Sequence, residues 1–173
     1  MNLTKKPRET LCTLTHTNEF EIVVAGIDSN AQDYVPYKIN LPSHNYVKDI
    51  RALIRRTGTD GNAETNDEEC VGQLNIVTNG ITHMSLNSMM ARKIIPRQFY
   101  KYENTEPIYH IPFCHDPWDY TLNSSHINLG RLNSKCLELY LKPGTYDVTL
   151  VIQHMNLLRF KDGLCGFEYD YFE

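Results

Sequence analysis

Apolar residues along this chain fall in short runs with turn residues between them, and most runs alternate with polar positions rather than recurring at helical spacing. That pattern predicts strands. The first run, Phe20–Ile27, ends at Gly26 and the Asp28-Ser29-Asn30 cluster. Tyr34–Leu41 follows; Pro36 within it lacks a ladder donor, which predicts an edge strand or a bulge. Tyr46–Arg56 is ambiguous, because Val47, Ile50, Leu53 and Ile54 also suit a short helix. Cys70–Thr78 is strand-like and closes at Asn79-Gly80, the strongest hairpin signal in the chain. Met84–Lys93 predicts a helical turn, since Leu86, Met89 and Met90 fall at helical spacing, and these methionines read as core packing. Pro107–Cys114, then Cys136–Leu141 with its turn at Pro143-Gly144, then Thr145–Phe160 and finally Leu164–Phe172 after Asp162-Gly163 complete the series.

About eight strands is the number in a jelly roll. The expected fold is all-β: an eight-stranded antiparallel jelly-roll sandwich with one or two short helical turns. The 173 residues suit a single domain, 1–173. Hydrophobic residues at 41% and charged residues at 22% are the balance of a globular chain, not a disordered one. A net charge of −4 leaves no basic surplus for phosphate contacts, so a nucleic-acid partner is not expected. No apolar run approaches the ~18 residues of a membrane span, and direct membrane insertion is not expected either. The start, Met1 to Glu9, carries charge with no apolar stretch behind it, which argues against a signal peptide. The five cysteines (Cys12, Cys70, Cys114, Cys136, Cys165) are odd in number and form no CxxC pair, so reduced, mostly buried thiols are expected.

Jelly rolls also house enzymes, and metal spacing is the test. A cupin-type site needs histidines two residues apart, so that alternate strand positions face one metal. None of His16, His44, His83, His110, His115, His126 or His154 has such a neighbour, and no His-x-Asp or His-x-Glu occurs. His110, Cys114, His115 and Asp116 cluster in sequence. On a strand, however, His110 and Cys114 stand roughly 13 Å apart, and the adjacent Cys114 and His115 point to opposite faces. The segment Asp60–Glu69 carries five carboxylates and begins like a calcium loop, but Thr65 stands where glycine is needed and Val71 where the closing glutamate belongs. It reads as a solvated loop. No glycine-rich phosphate loop or nucleophile elbow is present. The expectation is a non-enzyme, with no catalytic, cofactor or metal residues.

Six fragments in order carry a resemblance. His126-Ile127-Asn128-Leu129-Gly130-Arg131-Leu132 is similar to the asparagine–aromatic–serine–arginine signature of the major capsid proteins of nucleocytoplasmic large DNA viruses. His154-Met155-Asn156-Leu157-Leu158-Arg159-Phe160 resembles that family's tyrosine–asparagine–valine–leucine–arginine strand, and Gly163-Leu164-Cys165-Gly166-Phe167 the turn into its last strand. Ile108-Tyr109-His110-Ile111-Pro112-Phe113, Val47-Lys48-Asp49-Ile50 and Asn79-Gly80 match further family segments. The resemblance covers about 46–172 and concerns the second of the family's two tandem jelly rolls. Two departures alter local turn geometry: Asn123-Ser124-Ser125 replaces a Pro-Ser-Gly, and Gly130 a serine.

The resemblance implies a capsid subunit of the virion, assembled in the host cytoplasm. Its implied partners are a homotrimer or a complementary jelly-roll chain, with neighbouring major and minor capsid proteins around it. The chain is then half of a split major capsid protein, a minor single-jelly-roll relative or a divergent paralogue. The implied structural residues are Asn128, Arg131, Asn156, Leu158, Arg159 and Gly163. Asn128 suits bonding to loop backbone, Arg131 offers a fork of donors, and Arg159 needs a partner wherever it is buried. The alternatives are a lectin-like or cytokine-like binding module, or a metal-dependent jelly-roll enzyme with a dispersed site.

Overall fold

The computed structural model describes residues 13–29, 35–44, 46–57, 63–64, 70–103, 105–116, 125–161 and 164–167. Within them lie ten strands: β1 (Thr13–Ser29), β2 (Val35–Asn40), β3 (Val47–Thr57), β4 (Ala63–Glu64), β5 (Val71–Thr78), β6 (Ile81–Asn87), β7 (Ile108–Pro112), β8 (Lys135–Leu141), β9 (Gly144–Lys161) and β10 (Leu164–Phe167). They form two antiparallel sheets. One runs β1-β9-β3-β7, with the two-residue β4 further along the same edge of β3 and β10 on β9 beyond the start of β3. The other runs β2-β8-β5-β6. This interleaved order is the jelly roll.

Eight long strands were expected, and eight build the sandwich, but they are not the same eight. β6 was absent from the expected set, whereas the final segment is a short hairpin strand over its described part, Leu164–Phe167. The ambiguous Tyr46–Arg56 is strand throughout its span in β3. β1 begins seven residues earlier than its apolar run, because Thr13–Glu19 is held by pairing with β9. Pro36 lies on β2, which pairs only with β8 among the described strands, so its missing donor interrupts no inner ladder.

Alternation explains the core. On β9, Tyr146, Val148, Leu150 and Ile152 face inward and are fully buried. Their neighbours Ile50, Ala52 and Ile54 on β3 and Tyr109 and Ile111 on β7 share that face by register. Leu74 and Ile76 on β5 and Leu137, Leu139 and Leu141 on β8 are buried in the same cluster from the opposing sheet. Each such side chain contributes roughly 1.5–3 kcal/mol through burial. The β5–β6 hairpin turns at Asn79 (φ 50°) and Gly80 (φ 79°), the two positive values a type I′ turn requires. Asn79 also ties this turn to the approach of β8: its N–H donates to the Ser134 carbonyl (2.8 Å), and its Oδ1 accepts from Ser134 N–H (3.2 Å).

The helical prediction over Met84–Lys93 needs correction. Met84 to Asn87 belongs to β6, and helical winding follows only after it, as two wide turns, α1 (Met90–Ile94) and α2 (Pro96–Tyr100). Both close i→i+5: Ile95 N–H reaches Met90 O, and Lys101 N–H reaches Pro96 O. Pro96 supplies no N–H and would crowd the carbonyl four residues back, so a regular α-helix cannot run through it. The methionine reading is overturned with it. Ala91, Arg92 and Ile95 are the buried residues here, while Met89 and Met90 face solvent.

Leu139 lies at the centre of β8, which is paired on both sides. Leu139→Ala should therefore lower unfolding free energy by about 2–5 kcal/mol in a urea titration, with the m-value unchanged.

Candidate functional site

The two capsid-like motif segments meet at one end of the sandwich. Both grip the chain at 44–47, which enters β3. Val47 N–H donates to Ile127 O (2.9 Å) and Ile127 N–H to Val47 O (3.0 Å), a bridge between the first motif and β3. Gly130 N–H donates to His44 O (3.0 Å), and Met155 N–H to Tyr46 O (3.1 Å). Side chains repeat the pattern. The His44 and His154 imidazoles stack with centroids 4.0 Å apart and planes 5° from parallel, and Tyr46 meets His126 edge-on at 4.6 Å. His154 is pushed down to about 4 by burial and, next, by the charge of His44; burial also lowers His126.

The proposed motif residues occupy this junction unequally. Asn128 caps the 3₁₀ turn Leu129–Arg131, its Oδ1 accepting the Arg131 N–H at 3.2 Å. Arg131 itself is exposed. Asn156 is buried on β9 beside the junction. Leu158 and Arg159 lie in β9, where their backbones pair with Thr15 and Leu14 of β1 and with Phe167 and Gly166 of β10; their side chains lie outside the described residues. Gly163 also lies outside them, as does most of the acidic segment 60–69.

A second polar cluster sits on the outward face of the β1-β9-β3-β7 sheet. A bulge at Lys48 shifts the register between Val47 and Asp49, and this sends Asp49 and Arg51 outward together. Asp49 is fully buried there. Arg51 Nε donates to its Oδ2 at 2.6 Å, and Arg51 Nη2 reaches Gln153 Oε1 at 3.2 Å. Tyr100, at the end of α2, lies over this pair, its ring 5.3 Å from the Arg51 guanidinium carbon. Tyr102 and His110 share a hydrogen bond of 2.8 Å. Burial raises Asp49 above the usual carboxylate range, against the pull of Arg51, and burial with Arg51 pushes His110 down to about 4. The cluster thus closes α2 onto the sheet. The Asp49-x-Arg51 spacing was the legible sign of it, since opposite charges two apart on a strand share a face.

Among the described residues no group of three or more His, Cys, Asp or Glu is placed to hold a metal. β7 ends at Pro112, before Cys114, whose thiol burial pushes up to about 11 and away from the reactive thiolate. Cys70, Cys114 and Cys136 are buried and Cys165 is exposed. What the surface does offer is apolar. Met89, Met90 and Ile94 cluster on the outer side of the first wide turn, while Ile22 on β1 and Leu164 on β10 are 64% and 77% exposed.

Arg51→Met should cost about 3–5 kcal/mol at pH 7, because it strands the Asp49 carboxylate. That loss should shrink as pH falls: Asp49 already has a raised pKa, so protonation relieves the folded state first. Chemical denaturation of both proteins at pH 7 and pH 4.5 checks the sign.

No family model and no curated protein matches the sequence. Solved structures do match its fold. VP54 of PBCV-1, fitted into a reconstruction of the virophage Sputnik, superposes with a TM-score of 0.75 at 15% identity, over 92% of this chain and 52% of that one. The Faustovirus major capsid protein gives 0.65 at 11% identity, over 83% of this chain and 33% of its own. The major capsid protein of bacteriophage PM2 gives 0.52 at 12%, over 82% and 45%. The chain therefore has the jelly-roll fold found in viral major capsid proteins, and it spans about half the length of VP54.

Proposed function

We propose that this chain is a structural subunit of the capsid shell of a large DNA virus, corresponding to the second jelly roll of a double-jelly-roll capsid protein. The observation that carries this reading is the superposition on VP54, over 92% of this chain but 52% of VP54. A unit of this fold acting in a shell then needs a second unit beside it. In this reading the chain forms a homotrimer or joins a complementary jelly-roll chain, and it contacts neighbouring major and minor capsid proteins. It sits in the virion, is assembled in the host cytoplasm, and neither binds nucleic acid nor inserts in a membrane. Its work is assembly rather than catalysis.

The surface supports that assignment. Exposed apolar side chains at Met89, Met90 and Ile94 on the wide helical turn are the kind of patch that marks protein contacts. The residues Asn128, Arg131, Asn156, Leu158, Arg159 and Gly163 are assigned structural roles around the closed end of the sandwich and the β9–β10 hairpin.

Sedimentation of the purified chain, alone and with a candidate jelly-roll partner from the same virus, tests the proposal. A trimer or a stable heteromer is the expected result. A monomer at high concentration, binding no second jelly roll and absent from purified particles, overturns it. The double substitution Met89→Ser with Ile94→Ser should weaken association about tenfold or more. Its unfolding free energy should stay within about 0.5 kcal/mol of the parent.

A further inference from the structure

We propose that the His44–His154 stack is an acid-sensitive latch, whose protonation releases the 41–46 and 125–132 segments from β9 while the two sheets stay paired. The rings lie face to face at 4.0 Å and both are buried, His44 at 7% and His154 at 3% exposure. Neutral imidazoles stack well in such a place. One proton puts a cation into a desolvated contact, and a second sets two like charges against each other.

The latch sits where opening stays local. Its two rings come from the β2–β3 connection and from β9, and the backbone bonds Gly130 N–H to His44 O and Met155 N–H to Tyr46 O lie alongside. Beyond it, β9 remains paired with β3 from Gln153 to Thr145 and with β1 along its length.

Among the described residues, the charged groups on the neighbouring elements are mainly cations. Tyr46 and His126 flank it, and His126 is itself lowered by burial. Lys135 reaches Ser43 Oγ (2.7 Å) and Leu132 O (3.1 Å) next to the loop, Lys48 follows in the β3 bulge, and Arg131 is exposed on the 3₁₀ turn. Asp49 is held by Arg51 on the outward face. The charge acting on His154 is that of His44. With the folded pKa of His154 near 4 and an ordinary value of 6.5, the closed junction is fully stable above 6.5 and loses stability as pH falls from 6.5 through 4.

Imidazole titration by NMR and amide hydrogen exchange on the full chain test this. The His154 ring should titrate well below 6.5. Protection at Val47, Ile127, Gly130 and Met155 should fall about tenfold or more between pH 6.5 and 4.5, after correction for intrinsic exchange, while Leu139 and Leu150 stay protected. His154→Phe keeps an aromatic ring in the stack without a proton and should abolish that acid response; should it fail to fold, His44→Phe provides the same comparison. His110→Gln, in the other polar cluster, should leave the response intact. Titration of His154 near 6.5, an unchanged response in the Phe variant, or parallel loss of the core amides overturns the latch.

Discussion

Strand β9 is the ladder on which this fold depends. It is bonded on one side to β1 along nearly its whole length, and on the other first to β3 and then to β10. Its inward residues Tyr146, Val148, Leu150 and Ile152 are sealed from water, and the Tyr146 hydroxyl is answered by the Lys142 carbonyl at 2.9 Å. Because side chains alternate strictly, a slip of one residue would send all four to the outer face. The register is therefore fixed by burial on β9, and β1 and β3 inherit it.

Polar groups are admitted where that ladder ends or bends. The Lys48 bulge turns Asp49 and Arg51 out of the apolar interior and onto a surface that Tyr100 and Tyr102 then cover. A buried carboxylate is tolerated there because Arg51 meets it within the same patch. Just before that bulge, backbone pairing of Val47 to Ile127 and the stacked histidines close the end of the sandwich. One closure rests on opposite charges, and the other on stacked aromatic rings.

Much of the fold was legible because its signals are local. Asn79-Gly80 turned where its backbone freedom required, and Thr145–Phe160 formed the central strand its β-branched run announced. β6 was hidden for a physical reason: as an edge strand it exposes Ile81, Thr82 and His83 alike, so burial never imposed alternation on it. The helical turn was misplaced because Leu86 ends a strand, whereas Met89 and Met90 begin a winding whose buried side is Ala91, Arg92 and Ile95. The site was less legible than the fold. Ordered motif fragments pointed to the segments that meet, but not to His44, which lies in a connection between strands and takes its meaning from a ring more than a hundred residues away.

The pairing of β1 with β9 also sets the order of events in making the protein. Ser29 meets Gly144 and Thr13 meets Phe160, so every bond of that ladder spans more than a hundred residues of chain. At about 5–20 residues per second, a ribosome spends several seconds or more between making the first strand and making its partner. Through that interval the first strand has an unpaired edge and Val23 and Ile27 uncovered, the state in which strands recruit foreign ones. Among the described strands, β1 therefore waits longest for its partner.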